Sequence, residues 1–269
     1  MINMLMSTDA QLPSIADTFG RYFDVSFCDT EALLHETQRL RYDVYCREFG
    51  FERDEDCPGG LETDCFDAQA FHCLIRHRAS AEIAGCVRLV HLAGGATQTR
   101  LPVATYCAAA LEGADPHPDT LPADEVCEIS RLAVSAGFRR RLSEQETQLG
   151  NLDATDVDGA NGRSFPLLAV ALFMAARFMM LHCGRPHIFT TMEPRLARML
   201  ERTGLRFRRL GPVVDYHGRR AAYYLHYTPG EHQTSLASIR DDLQDLFRVI
   251  DGRLQTQLHV LKPAGKAGC

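Results

Sequence analysis

Apolar residues recur at two periods along this chain, and the changes of period mark its elements. Alternation at every second position predicts short strands over 22–28, 71–77 and 82–91. Helical spacing predicts an amphipathic helix over 31–48, with Leu33, Leu34, Thr37, Leu40, Val44 and Tyr45 on its apolar stripe and Asp29 or Thr30 as its cap. After an acidic loop and the 71–91 hairpin, residues 92–124 carry little pattern beyond a short helix over 104–111. A long apolar strand follows over 126–134. A polar, glycine-punctuated stretch (136–163) leads to an apolar helix over 165–183 and a strand over 186–192. A helix over 193–203 stops at Gly204, strands over 207–214 and 221–227 flank an Asp215-Tyr216-His217-Gly218 turn, and a last helix over 235–254 is capped by Ser235.

This order predicts an α+β architecture: a mixed sheet flanked by helices, with strands 126–134 and 186–192 parallel because a helix connects them. Residues 1–20 read as a loose or helical tail, 21–230 as one domain, and 231–269 as a C-terminal helix and tail. No internal repeat is present.

Composition narrows the function classes. The chain has 269 residues, 45% of them hydrophobic, which suffices for a sizeable core. Its formal net charge of -6 disfavours a nucleic-acid partner. The basic residues nevertheless cluster at Arg139-Arg140-Arg141 and among Arg195, Arg198, Arg202, Arg206, Arg208 and Arg209, where a solvated face or an acidic docking partner are both open readings. Ten cysteines include no CxxC pair, so free thiols in a reducing compartment are expected. The N-terminus lacks the features of a secretory signal, and the longest apolar run is interrupted by Pro166 and Arg177, so no integral membrane segment is expected and the location is read as cytoplasmic.

The candidate chemistry sits in charged residues inside apolar runs. Glu128-Ile129-Ser130-Arg131-Leu132-Ala133-Val134 places two opposite charges in a strand that must stabilise both. Two segments offer partners: Glu62-Thr63-Asp64-Cys65-Phe66-Asp67, with three carboxylates in six residues, and Gly85-Cys86-Val87-Arg88-Leu89. Strict alternation puts Glu128 and Arg131 on opposite faces, so they share a site only if the strand bulges between them. The acidic segment lacks the length and glycine of a calcium loop, and no metal is expected there.

These segments carry a resemblance. Together with Arg41-Tyr42-Asp43-Val44-Tyr45 they are similar, in order, to the acyl-homoserine lactone (autoinducer) synthase signature R-x-x-V-F, E-x-D-x-x-D, G-x-x-R-L, E-x-S-R-x-x-V. Glu193-Pro194-Arg195-Leu196-Ala197-Arg198 and the 211–220 segment look like the PEP-CTERM/exosortase-associated acyltransferases and the N-acyl amino acid synthases. The element order resembles the GNAT fold, in which the parallel strand pair forms the acyl-donor cleft.

The resemblance implies transfer of a fatty acyl group from a phosphopantetheine thioester to the amine of an amino acid or similar small acceptor, with no bound cofactor. The donor would be carried on acyl carrier protein or coenzyme A. The absence of a Q/R-x-x-G-x-G/A pyrophosphate loop after Val134 fits the carrier protein. It implies a carboxylate base, Glu128 first and Glu62 second. Arg88 and Arg131 would pair these acids or clamp an acceptor carboxylate, and Arg41, Asp64, Asp67 and Ser130 would join the same network. The bulge would turn backbone N–H groups near Leu132 and Ala133 toward the thioester oxygen. Leu167, Leu168, Leu172, Phe173, Phe178 and Phe189 are candidates for an acyl tunnel. The chain has Phe51 where autoinducer synthases usually carry a pocket-forming Trp for S-adenosylmethionine, and it has no Trp at all, which favours a simpler amine acceptor. The alternatives are an acyl-homoserine lactone synthase and a non-catalytic acyl-binding module of the same fold.

Overall fold

A computed structural model describes residues 14–92, 98–139, 167–227 and 239–261. Helix α1 (Ile15–Tyr22) opens on a Ser14–Asp17 capping box and runs directly into strand β1 (Phe23–Phe27). Helix α2 (Glu31–Tyr42) starts where Thr30 Oγ1 accepts the Leu33 N–H at 3.3 Å, and continues as a wider turn of i→i+5 bonds over Asp43–Glu48. Strands β2 (Ala70–His77), β3 (Ile83–His91) and β4 (Val126–Val134) follow, with a short helix α3 (Pro102–Tyr106) between the last two and a helical turn α4 (Ala136–Arg139) after them. Helix α5 (Leu167–Cys183) crosses to strand β5 (His187–Met192), which feeds α6 (Pro194–Thr203); Gly204 caps α6 at φ 98°, a conformation that favours glycine. Short strands β6 (Arg208–Arg209) and β7 (Val214–Asp215), the longer β8 (Arg219–His226) and helix α7 (Asp241–Gln255) complete the described chain.

The sheet order is β1-β2-β3-β4-β5-β8-β6, with β7 also paired to β8. Every pairing is antiparallel except β4 with β5. The expected α+β mixed sheet with one parallel pair is therefore the observed one. One face packs on α5, which is buried nearly all round because the sheet covers one side and α7 the other. Close approach of α5 needs Gly85: a Cβ there would lie 2.9 Å from Leu172 and 3.0 Å from the Ala133 carbonyl. Helices α1 and α7 pack into this same core. The other face carries α2, the acidic loop and α3.

Three expected elements differ. The strand predicted over 207–214 is two pieces, β6 and β7, because Pro212 has no N–H for a ladder and Gly211 is pressed against the Ala110 carbonyl, where a Cβ would stand 2.2 Å away. The 104–111 helix is α3 followed by a tight turn over Ala108–Leu111. The N-terminal segment, read as a loose or helical tail, is helical from Ile15. The final helix starts at Asp241 rather than 235; Ser235 lies outside the described residues, as do Phe165, Pro166, Arg140 and Arg141. Among the described residues no helix is long and apolar enough to cross a membrane.

Candidate active site

Strand β4 supplies the centre of the site, and its backbone decides what faces it. Cys86 pairs with Ala133 and Arg88 with Ser130, so Arg131 and Leu132 together stand opposite Val87. Arg131 takes φ 48°, the one positive φ in the strand. This bulge resets the alternation: Glu128 and Ser130 face the α2 side before it, and Arg131 faces the same side after it.

Helix α2 brings Thr37, Arg41 and Tyr45, one turn apart, onto that face. The acidic loop is tied to α2 by the Glu62 N–H, which donates to the Gln38 carbonyl at 3.1 Å. It then folds on its own side chains: Asp64 Oδ1 accepts the Phe66 N–H at 2.9 Å, and Asp67 Oδ2 accepts the Asp64 N–H at 3.2 Å.

Three arginines from three elements meet these three acids. Arg41 donates from Nε to Glu62 and grips both Asp67 oxygens at 2.8 and 3.2 Å. Arg88 grips both Asp64 oxygens at 2.5 and 2.9 Å, reaches Asp67 at 2.6 Å and donates from Nε to Ser130 Oγ at 3.1 Å. Arg131 donates to Glu62 Oε1 at 2.9 and 3.0 Å and lies 3.3 Å from Asp64 and 3.5 Å from Glu52. The alternation of signs lets Arg41 and Arg88, each 1% exposed, remain charged inside the protein. Burial works to raise the carboxyls of Glu62, Asp64 and Asp67, but the arginines outweigh it and hold all three below the usual carboxylate range.

Glu128 is placed differently. It is 3% exposed and accepts the Val103 N–H of α3 on Oε2 at 2.8 Å. No arginine among the described residues bonds it. Burial pushes its pKa up to about 7, with Val103, Arg88 and Arg131 acting in the opposite direction. It lies in a cleft that opens where β4 and β5 part, for the parallel pairing ends at Ile129–Thr190. Beyond that point Ser130, Arg131 and Leu132 line one wall, and Thr191, Met192 and Glu193 the other. Tyr45 closes one end and donates its hydroxyl to the Leu132 carbonyl at 3.0 Å, while burial keeps it protonated, with a pKa of about 12.

The sequence candidates thus separate. Glu128, Ser130, Arg131 and Leu132 line the cleft. Arg41, Glu62, Asp64, Asp67 and Arg88 form the charged network behind it. Glu62, the second candidate base, has both oxygens bonded to arginines, which leaves it a poor proton acceptor. Arg88 and Arg131, offered as clamps for an acceptor carboxylate, are occupied by the protein's own acids. Ala133 does not line the cleft: it is buried against Cys86, Val44 and Tyr45. Phe189 likewise falls in the core, packed on Tyr224 at 5.3 Å between ring centroids, because the parallel pair is still closed at that level. Of the apolar tunnel candidates on α5, Phe173 reaches the cleft, whereas Leu168, Leu172 and Phe178 are core. Phe51 stacks between Phe49 and His217, at 5.3 and 5.5 Å.

Sequence reasoning missed Tyr45, the Val103 N–H, Thr191, Glu193, His217 and Arg220 as components of the site. The 211–220 segment carried a signal for the last two. It reads as a hairpin tip, and His217 (φ 51°) and Gly218 (φ 89°) make the tight turn that swings His217 and Arg220 over Phe51. Burial, with Arg131 and Arg220 nearby, brings the His217 pKa down to about 4, so the ring is neutral.

Comparison with known proteins bears on the fold. Residues 40–147 match the acetyltransferase (GNAT) domain. No curated protein matches the chain. Among solved structures, the acyl-homoserine lactone synthase LasI superposes with a TM-score of 0.52 at 19% identity, covering 76% of this chain and 88% of that one. The coenzyme A-dependent acyl-homoserine lactone synthase BjaI, solved with S-adenosylmethionine and isopentyl-CoA, gives 0.51 at 20% identity and covers 83% of each chain. FeeM, an N-acyl amino acid synthase from uncultured soil microbes, gives 0.49 at 13%, covering 81% of this chain and 94% of that one. The chain has the fold of these acyl-homoserine lactone synthases, and its match to the acetyltransferase (GNAT) domain spans residues 40–147.

Proposed function

We propose that this protein is an N-acyltransferase that moves a fatty acyl group from a phosphopantetheine thioester to the amine of an amino acid. The observation that carries the reading is Glu128: a buried carboxyl with a pKa of about 7 and no hydrogen bond from an arginine among the described residues, at the point where the parallel strands separate. An acceptor amine with a reference pKa near 8 must lose a proton to attack a thioester, and a group of similar pKa is suited to take it, directly or through one water.

In this mechanism the acyl thioester enters the gap between β4 and β5. The amine attacks the carbonyl carbon, and Glu128 accepts its proton. The oxyanion forms beside the bulge, where the Leu132 N–H is the proposed donor, and the Tyr45 hydroxyl fixes the bulge by holding the Leu132 carbonyl. Collapse of the tetrahedral species expels the pantetheine thiolate. Arg131, locked by Glu62 and Asp64, keeps the bulge in its left-handed conformation. The charged network is thus read as scaffold rather than acid–base machinery.

Acyl carrier protein is the proposed donor carrier. Arg198, Arg202, Arg206, Arg208 and Arg209 are exposed on α6 and the segment after it, and Glu193, the residue before α6, lines the cleft. Arg139 is excluded from this role, since it is buried and donates to Glu48 and to the Val134 carbonyl.

The test is mass spectrometry of reactions containing acyl carrier protein and coenzyme A thioesters, the proteinogenic amino acids and S-adenosylmethionine, with Glu128→Gln alongside. The reading expects an N-acyl amino acid that the variant makes far more slowly. An acyl-homoserine lactone, or bound thioester without turnover, would overturn it.

A further inference from the structure

The cleft contains buried hydrogen-bond donors that the protein does not use. Arg220, at the start of β8, donates from Nε to the His217 carbonyl at 3.0 Å and lies over the Phe51 ring at 5.9 Å. Its Nη2 is buried and has no hydrogen-bond partner among the described residues. On β5, Thr191 Oγ1 is also buried without a partner. The two side chains share a face: Thr191 pairs with Ala222, and Arg220 stands two residues before Ala222 on the same strand. Both line the cleft that holds Glu128.

A buried guanidinium donor without an acceptor costs free energy, and so does a buried hydroxyl. A folded chain tolerates such groups where a ligand completes them. The contrast with Arg131 is direct. Arg131 lines the same cleft and has Glu62, Asp64 and Glu52 around it, whereas Arg220 makes no ion pair among the described residues. Glu193, the acid beside Arg220, is raised by its burial, and its attraction to Arg220 only partly offsets this.

We infer that Arg220 and Thr191 form the subsite for the acceptor's carboxylate, so that the acceptor is a free α-amino acid and not an amine lacking that group. This rests on the acyltransferase reading above. One carboxylate oxygen takes the Arg220 Nη2 donor and the other the Thr191 hydroxyl. The α-amine, two bonds away from the carboxylate carbon, is thereby directed back into the cleft toward Glu128 and the thioester.

The experiment compares each amino acid with its α-carboxamide, which has the same amine and side chain but no negative charge. Dodecanoyl acyl carrier protein and dodecanoyl coenzyme A serve as donors. The quantity read is the ratio of kcat/KM for acid over amide. Arg220→Gln keeps a donor for the His217 carbonyl but loses the charge, and it is expected to lower the ratio roughly tenfold or more, the size of one charged hydrogen bond. Thr191→Val, a near-isosteric change, is expected to lower it by about threefold to tenfold, and it keeps the question open to test should the first variant fail to fold. A ratio unchanged in both variants, with acyl transfer intact, overturns the subsite and leaves the acyltransferase reading standing. A rise in KM for the thioester with an unchanged ratio also overturns it, by placing Arg220 on the donor. No transfer by the wild type to any acceptor overturns the acyltransferase reading and this inference with it.

Discussion

Glu62 and Glu128 are the same residue type, buried to nearly the same degree at 2% and 3% exposed, on the same side of the same sheet. Their carboxyls shift in opposite directions. Burial acts to raise both, but Arg41 and Arg131 bond Glu62 and reverse its shift, while among the described residues Glu128 is hydrogen-bonded by the Val103 N–H and feels Arg88 and Arg131 without bonding either, too weakly to offset its burial. Burial alone therefore does not mark a reactive acid; burial without a partner does. One acid is part of the frame, and the other is available for proton transfer.

The sharpest way to break this comparison is Glu128→Gln. The amide still accepts the Val103 N–H but takes no proton, so the rate is expected to fall about 10²- to 10⁴-fold with the melting temperature held or raised. A loss of less than about threefold would remove Glu128 as the base.

Arg41→Ala addresses the other member of the pair. It strips Glu62 and Asp67 of their shared partner and is expected to destabilise the fold by about 3–5 kcal/mol in urea unfolding. A cost below ~1 kcal/mol would mean that the network relaxes to solvent and is not a frame.

The two acids also predict different pH responses. As the base, Glu128 must be ionised, so the rate should rise with pH through about 7. Its folded pKa lies above its unfolded value of ~4.3, so ionisation favours the unfolded chain as pH climbs between the two. Wild type should therefore lose stability relative to Glu128→Gln over that window. The network acids are depressed in the folded state, so their contribution is present above their unfolded values of about 4 and is lost as pH falls below them. Melting curves recorded for both proteins from acid to neutral pH separate the two effects, and parallel curves would refute the difference between the acids.

The smallest expected effect is at Tyr45. Tyr45→Phe removes one hydrogen bond to the Leu132 carbonyl and should cost ~1 kcal/mol in stability, with a severalfold loss of rate. A rate loss without any change in stability would instead place the hydroxyl on the substrate.

Much of the frame was readable in advance, and the reasons are local. Thr30 caps α2, Gly204 ends α6, and the largely apolar 167–183 helix is buried nearly all round. The bulge in β4 was expected as a condition: Glu128 and Arg131 are an odd number of positions apart and share a face only if the strand bulges between them, as it does. The misplacements have a common source. Ala133 and Phe189 sit on the right strands, but whether a strand residue meets the cleft depends on where β4 and β5 part, which alternation does not encode.

The sequence by itself determined the element order, the parallel pair and the arginines and acids that had to be satisfied together, because periodicity, capping and burial of charge act over a few residues or leave a mark in composition. Only the tertiary structure decided which acid each arginine takes. Arg131 meets Glu62 across 69 positions and Arg88 meets Asp64 across 24, and with these arginines and acids paired to one another Glu128 and Arg220 have no ion pair among the described residues. A pKa and a free donor are properties of the neighbours that the fold brings in, so residues of identical type diverge in role once the chain closes around them.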